Sequence, residues 1–407
     1  MVWERLSART TTPAPPLAST PAPQPVLSFP RMHPSPTALA TIQRRQRLLR
    51  PVGRALLFPR IRLRFHRPHD LPAGPALVVV NHITAADFLI AALAIRRGTA
   101  WVGTRTLLDG PLGPVASQLG YIPKTRFAAD LGAVRSMLRW LRAGAAVGVF
   151  PEGERSWDGR PCPLLPGLDR LIAHRGVPVV PVRLHNAYRV WPRWTSRPRS
   201  GTVLVEVGEA WTPPADATAD AISAHLQRVL DVPVRSHPEL RVRGDFVTGI
   251  TNVLFRCPAC DGDETLVERP PSVRCRACGA HVEVDDQHVL HVAGRELPLE
   301  AWMDETRART LAELPVSGEI LGLDGVEVVD HTDGATTRLA TGRLALHADA
   351  LTCGSWRLPL EVLHNANIEY QRILELRTRD RYLKAILPTG SAWRWPWTIR
   401  AVQAQRG

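Results

Sequence analysis

Residues 76–95, ALVVVNHITAADFLIAALAI, decide the fold. The first five, Ala76 to Val80, form a short continuous apolar run rich in β-branched residues, which reads as a buried strand. A polar NHIT follows. From about 85 to 95 an apolar stretch of helical length takes over. A strand feeding directly into a helix is half of a βα unit, the building block of a sheet covered by helices. In open sheets of this kind, ligands bind at the carboxyl ends of the strands. His82 and Asp87 stand at that place.

Outward from this stretch the alternation continues. Residues 101–103, 146–150, 177–184 and 203–207 read as strands, and 112–119, 133–142, 166–174 and 218–230 as helices, with Thr218 as an N-cap. The expected fold class is therefore α/β, a mostly parallel sheet covered by helices, over residues 41–240. Residues 1–40 are rich in Pro, Ala, Ser and Thr without periodicity and read as disordered. Residues 41–65 alternate Arg with Leu, Ile and Phe, with Pro51 breaking a helical pattern. They read as a basic segment in a lipid interface, or as a linker whose apolar side packs on the next domain.

Charge points the same way. The 407-residue chain has a formal net charge of +13, and residues 1–65 hold 11 Arg and one acid, Glu4. A basic front end seeks a polyanion, either an anionic membrane face or a nucleic acid. The 188–199 stretch, YRVWPRWTSRPR, interleaves Trp and Arg and reads as a membrane-facing loop. Stacking on single-stranded nucleic acid is its alternative. No RNA-recognition, KH or helix-turn-helix signature supports a nucleic-acid partner. No run of 18 apolar residues exists, so no transmembrane helix is expected, and the first 30 residues lack the apolar core of a signal peptide. A cytoplasmic protein, peripheral to the inner face of a membrane, is the expectation.

His82 and Asp87 are five residues apart, roughly 140° around a straight helix, so they meet only if the chain turns between them. Thr84 can supply that turn as an N-cap, placing Asp87 at the third helical position. Yet Thr84-x-x-Asp87 is itself a capping-box pattern, in which Asp87 merely satisfies backbone N–H groups. The motif alone leaves both readings open.

Three further blocks stand at strand ends: Gly120-Tyr121-Ile122-Pro123-Lys124-Thr125-Arg126, Phe150-Pro151-Glu152-Gly153-Glu154-Arg155-Ser156 and Val177-Pro178-Val179-Val180-Pro181. With the His-x4-Asp block, in this order, they resemble the glycerolipid acyltransferase family, the 1-acylglycerol-3-phosphate type, over roughly residues 45–235. The resemblance implies an O-acyltransferase. It would move a fatty acyl chain from a thioester, acyl-CoA or acyl-ACP, to the hydroxyl of a lysolipid acceptor, foremost 1-acylglycerol-3-phosphate, on an anionic membrane surface. Acyl carrier protein is then a possible partner. His82 would be the general base and Asp87 its orienting acid, with N–H groups near the following helix start stabilising the oxyanion. Arg126 and Arg155 would hold the headgroup, with Glu152 and Gly153 shaping that pocket. Glu154 departs from the family's usual Thr. An acid beside Arg155 would partly neutralise a phosphate site and makes a phosphate-poor or zwitterionic acceptor an alternative.

The second half opens with Cys257-Pro258-Ala259-Cys260 and Cys275-Arg276-Ala277-Cys278. Two such knuckles present four thiolates to a tetrahedral Zn2+ with no open position, hence a structural metal. Residues 250–300 resemble a zinc ribbon. Residues 299–314 read as a helix. Residues 316–407 read as short strands closed by a Trp-rich helix and resemble a pleckstrin-homology or GRAM-like module. Two non-enzymatic alternatives stand beside acyl transfer: a lipid-sensing scaffold, and a zinc-ribbon protein associated with nucleic acid.

Overall fold

The computed structural model describes residues 34–57, 60–67, 69–108, 113–125, 130–315, 317–332 and 335–405. In the first half, α1 (Pro36–Leu57) leads to β1 (Ile61–His66), β2 (Ala76–Val80), α2 (Asp87–Ala94), β3 (Thr99–Thr104), α3 (Gly113–Ser117) and β4 (Tyr121–Lys124). Then come α4 (Leu131–Arg142), β5 (Ala146–Val149), α5 (Leu168–Arg175), β6 (Val179–His185), α6 (Ala187–Val190), β7 (Gly201–Val207) and α7 (Ala219–Leu230). The strands form one sheet in the order β1-β7-β6-β2-β5-β3-β4, parallel throughout except between β6 and β7.

Both faces of β2 are covered, which is why its sequence is unbroken by polar residues. Met137, Trp140 and Leu141 of α4, with Ile222, Leu226 and Leu230 of α7, pack one side of the sheet. Ile90, Ala91, Leu93 and Ala94 of α2 pack the other. The i, i+4, i+8 spacing in α7 is the apolar stripe of a helix lying on a core. Thr218 caps α7, accepting from the Ala221 N–H at 3.2 Å. Because β2 and β5 are parallel neighbours, the chain leaves both at the same edge, and residues 81–86 and 150–156 emerge side by side.

Three readings of the first half change. The helix α1 begins at Pro36, inside the stretch read as disordered, whereas residues 1–33 lie outside the described residues. Pro51 does not end that helix; it lies on the exposed side, where the carbonyl it leaves unbonded can meet water. Residues 61–66 are not interfacial helix but an edge strand pairing with β7, and the Arg62-Leu63-Arg64-Phe65 alternation is the period of two of that strand. The helix α1 itself is docked. Ile42 is buried, Gln46 donates to the Thr99 and Leu119 carbonyls, and at Gly53 a Cβ would lie 2.9 Å from Leu89 of α2. Its other side exposes Leu48, Val52 and Leu56 among arginines. No helix among the described residues is long and apolar enough to cross a membrane.

In the second half, β8 (Leu266–Arg269), β9 (Ser272–Cys275), β10 (His281–Val284), β11 (Val289–Val292) and β12 (Arg295–Pro298) form an antiparallel meander, followed by α8 (Leu299–Ala312). Next come β13 (Glu319–Asp330), β14 (Thr337–His347), β15 (Ala350–Cys353), β16 (Trp356–Pro359), β17 (Asn365–Glu369), β18 (Ile373–Arg377) and β19 (Tyr382–Ile386), and α9 (Arg394–Ala404) closes the chain. These strands run antiparallel in the order β16-β15-β14-β13-β19-β18-β17. Trp395, Ile399 and Val402 of α9 enter the core of this sheet, whereas Trp393 and Trp397 enter the core of the meander.

The Trp- and Arg-rich stretch 188–199 is not a membrane-facing loop. Tyr188, Arg189, Trp191, Arg193, Trp194 and Arg199 are all buried where the two halves meet. Arg189 donates to the Asp286 carbonyl at 2.7 Å, and Arg199 to His288 Nε2 at 2.6 Å. Trp and Arg serve a protein interface by the same means as a membrane one: large apolar area with a polar handle.

One close approach carries the sheet's geometry to its edge. At Gly148 on β5 a Cβ would sit 2.3 Å from the Trp101 ring. Trp101 in turn stacks near Phe150, their centroids 6.0 Å apart. Gly148→Ala is therefore expected to cost about 1–3 kcal/mol of stability by overpacking, read from the midpoint of denaturant unfolding. An unchanged midpoint would mean that Trp101 has room to move.

Candidate active site

Asp87 organises the site. Its side chain is fully buried and folds back over the turn that precedes α2. Oδ2 accepts from His82 Nδ1 at 2.9 Å, from the Thr84 N–H at 2.9 Å, and from the Ile83 N–H. Oδ1 accepts from the Thr84 hydroxyl at 2.7 Å, and that hydroxyl accepts from the Ala86 N–H at 3.0 Å. Asp87 is thus the first residue of its helix and not the third, with Ala86 at the N-cap and Thr84 bonded inside the turn. The two readings of the motif are both realised: one carboxylate satisfies backbone donors and holds the histidine. The amides of residues 83, 84 and 86 are committed to this turn, which removes them from the N–H groups expected to face an oxyanion.

A carboxylate only accepts, so Nδ1 carries the hydrogen in this pair and Nε2 keeps the lone pair. The His82 side chain is about a quarter exposed. Burial lowers its pKa below the ordinary 6.5; Asp87 pulls upward through its hydrogen bond and charge but does not prevail, and the Arg155 and Arg193 charges push further down. The ring is a neutral base at pH 7. It rests on Phe150, 4.5 Å between centroids, behind which lie Trp101 and then Phe88. Sequence reasoning passed over this aromatic floor. Its signal was Phe150 just past β5 and Trp101 within the adjacent β3.

The 150–156 loop is tied to the His82 turn. Glu152 is 1% exposed. Oε1 accepts from the His82 N–H at 2.9 Å and Oε2 from the Cys162 N–H at 2.7 Å, while the Ser156 N–H donates to the His82 carbonyl at 2.8 Å. Burial pushes the Glu152 carboxyl up to about 8, against the pull of its two N–H donors. Gly153 makes the turn with a φ of +70°, and a Cβ there would lie 2.1 Å from Leu165. Asn81, also missed, anchors the other side by accepting from the Leu184 N–H at 2.8 Å.

Of the residues singled out from the sequence, His82, Asp87, Glu152, Gly153 and Arg155 come together at this edge. Arg126 lies outside the described residues. The Val177-Pro178 block does not reach the site: β6 runs parallel to β2, so the Leu77 N–H donates to the Pro178 carbonyl at the opposite end of the strands. Glu154, read from the sequence as an acid beside Arg155, has a partner farther along the chain. It is paired with the buried Arg193, Oε2 to Nη1 3.1 Å.

The four knuckle cysteines converge elsewhere. Their Sγ atoms all lie within 4.8 Å of one another, with Cys257 and Cys278 3.9 Å apart and Cys260 and Cys275 3.8 Å apart. Four thiolates around a zinc, each at about 2.3 Å, stand about 3.8 Å from one another, so this donor set fits that ion. Cys353 is buried and Cys162 partly so, both away from the cluster.

Residues 62–185 match the family model described as Acyltransferase. The 1-acyl-sn-glycerol-3-phosphate acyltransferase of Limnanthes alba is 26% identical over 170 residues, covering 40% of this chain and 59% of that protein. A chloroplastic 1-acyl-sn-glycerol-3-phosphate acyltransferase of Arabidopsis thaliana is 27% identical over 141 residues, 33% of this chain and 39% of that one. The match thus spans about 59% of the length of the first of these relatives. Among solved structures, the 1-acyl-sn-glycerophosphate acyltransferase PlsC from Thermotoga maritima is 21% identical with a TM-score of 0.40, over 49% of this chain and 78% of that one.

The bracing of Glu152 is testable. Glu152→Ala leaves two buried N–H groups without a partner and is expected to destabilise the fold by about 2–5 kcal/mol. Thermal or chemical unfolding measures it. A loss confined to activity, with the unfolding midpoint unmoved, would show that Glu152 faces substrate instead.

Proposed function

We propose that this chain is an O-acyltransferase that esterifies 1-acylglycerol-3-phosphate with a fatty acyl chain from acyl-CoA or acyl-ACP. The observation that carries the reading is the buried Asp87 holding His82 by Nδ1, with Nε2 left as the base beside the Arg155 loop. The acyltransferase family match over residues 62–185 and the activities named for the plant relatives support the same class and acceptor.

In the proposed step, the acceptor hydroxyl oxygen attacks the thioester carbonyl carbon as His82 Nε2 takes its proton. Asp87 keeps the imidazole in one tautomer and steadies the imidazolium. The tetrahedral intermediate collapses, the C–S bond breaks, and the leaving thiolate takes the proton back from His82. The nucleophile is the substrate, so no acyl-enzyme forms. Arg155 meets the acceptor phosphate, with Arg126 as its proposed companion; a planar guanidinium suits that oxyanion. The exposed Leu48, Val52 and Leu56, set among Arg44, Arg47 and Arg54 on α1, form a basic apolar stripe suited to an anionic membrane surface at the cytoplasmic face.

Zinc at Cys257, Cys260, Cys275 and Cys278 is proposed as a structural staple: it would fix the two knuckles that open the meander. The strand order and closing helix of residues 316–407 fit a pleckstrin-homology-like module, in keeping with a lipid-associated protein.

Acyl transfer is measured with labelled thioester and lysolipids in anionic vesicles. His82→Ala should lower kcat by about 10²–10⁴-fold with unfolding unchanged. The lowered His82 pKa sets a sign: the protonated ring is inactive, so kcat/KM should fall on acidification with an inflection below 6.5. An inflection above 7, or full activity in His82→Ala, would sink the general-base assignment. For the metal, atomic spectrometry of the purified chain should find about one zinc per four thiolates. Cys260→Ser should lower that content and the unfolding temperature together. A metal-free protein of unaltered stability would refute the staple.

A further inference from the structure

Arg193 follows α6 and is only 2% exposed. Its fork joins three segments that are far apart in the chain. Nη1 donates to Glu154 Oε2 at 3.1 Å and to the Arg155 carbonyl at 2.6 Å, and Nη2 donates to the Ile368 carbonyl on β17. The guanidinium lies over the Trp157 ring, 4.4 Å from its centroid. Gln371, just beyond β17, donates back to the Arg193 carbonyl at 3.4 Å.

The neighbouring residues repeat the pattern. Trp157 packs against the cores of both the meander and the C-terminal sheet. Arg160 is clamped to Asp158 and, at 2.6 and 2.8 Å, to Asp304 of α8. The loop that carries Arg155 is therefore held from two sides. Glu152 and Ser156 tie it to the His82 turn, and Arg193, Trp157 and Arg160 tie it to the second half of the chain. A planar, rigid fork can meet three acceptors on two segments at once, which a lysine ammonium does not reproduce. A buried guanidinium also needs an anion. Glu154 supplies it, which accounts for an acid at this position and keeps that acid off the substrate phosphate.

We propose that Arg193 is a positioning residue, pinning the Glu154–Arg155 turn to β17 so that the C-terminal sheet sets where Arg155 meets the acceptor headgroup. The part played by Arg155 rests on the acyl-transfer reading above; the pinning does not. The second half of the chain is thus the outer wall of the acceptor site.

The test uses the full-length chain in four forms: wild type, Arg193→Lys, Glu154→Gln and Glu154→Gln/Arg193→Lys. Arg193→Lys is expected to raise KM for 1-acylglycerol-3-phosphate by roughly 10–100-fold, the scale on which small misplacements act, with KM for acyl-CoA held within about twofold. Glu154→Gln should act in the same direction, and the double variant should lose no more than Arg193→Lys alone, because both changes break one link. An equal rise in the donor KM, or losses that simply add, would overturn the assignment. Amide hydrogen exchange is the second arm. In Arg193→Lys, peptides covering 153–160 should exchange faster, while β2 and α2 stay as in the wild type. Unchanged exchange at 153–160 would refute the pinning whatever the kinetics. A wild type that turns over no acceptor, yet shows the exchange difference, would refute the acyl-transfer reading and leave the pinning standing.

Discussion

The carboxylate of Asp87 has no contact with solvent, and an ionised group in that position is tolerable only if its oxygens are filled. Two N–H groups, one hydroxyl and one imidazole fill them. The constraint runs in both directions. The carboxylate needs the tight 82–86 turn to supply donors, and the turn needs the carboxylate because its amides have no strand or helix partner. His82 is the only member of this set that can also act on a substrate. Its ring is positioned by a network that would exist for structural reasons alone, which is a cheap way to obtain a fixed tautomer. The strand before the turn and the helix after it are similarly bound. The first ends where Asn81 locks onto β6, and the second starts on the acid itself.

A second layer hangs on this turn. Glu152 bridges the His82 and Cys162 amides from below, and the aromatic floor of Phe150, Trp101 and Phe88 sets the height of the imidazole. Beyond it the arginines of residues 183–199 act as struts. Apart from the Arg193–Glu154 pair, Arg189, Arg193 and Arg199 spend their donors on backbone carbonyls and one histidine, in places where methylene-only side chains would leave those carbonyls unpaired. Burial holds the Arg199 guanidinium down to about 10, so it stays charged at neutral pH. A basic chain can therefore hold its two halves together with cations, since carbonyl dipoles meet each guanidinium and an acid joins them at Arg189 and Arg193.

Sequence reading reached the parts of this that are local. The unbroken apolar run 76–80 could only be a strand covered on both faces, and the residues of α7 carry their stripe openly. Thr218 announced its helix. The convergence of the four knuckle cysteines was legible for the same reason, because two short-spaced pairs encode it. What failed was non-local. Residues 61–66 alternate like an edge strand, but their charge made them look interfacial until β7, some 140 residues later, provided a partner. The 188–199 stretch has a composition that suits lipid and protein interfaces equally, and only the fold says which surface covers it.

Glu154 shows the same limit at a single residue. Beside Arg155 in sequence, it reads as a charge competing with phosphate. In the fold its carboxylate turns to Arg193, 39 residues away. The two arrangements differ in consequence at His82. An acid free to face the site would raise the imidazole pKa, whereas an acid consumed by a buried arginine leaves the Arg155 and Arg193 charges to lower it. Under the proposed acyl transfer, a base that must remain neutral next to a phosphate-bearing acceptor, itself an anion that favours protonation, gains from cations close by. The acid at 154 and the arginine at 193 are then one device that fixes the loop, while burial of the ring, ahead of the cations nearby, is what holds the His82 pKa down.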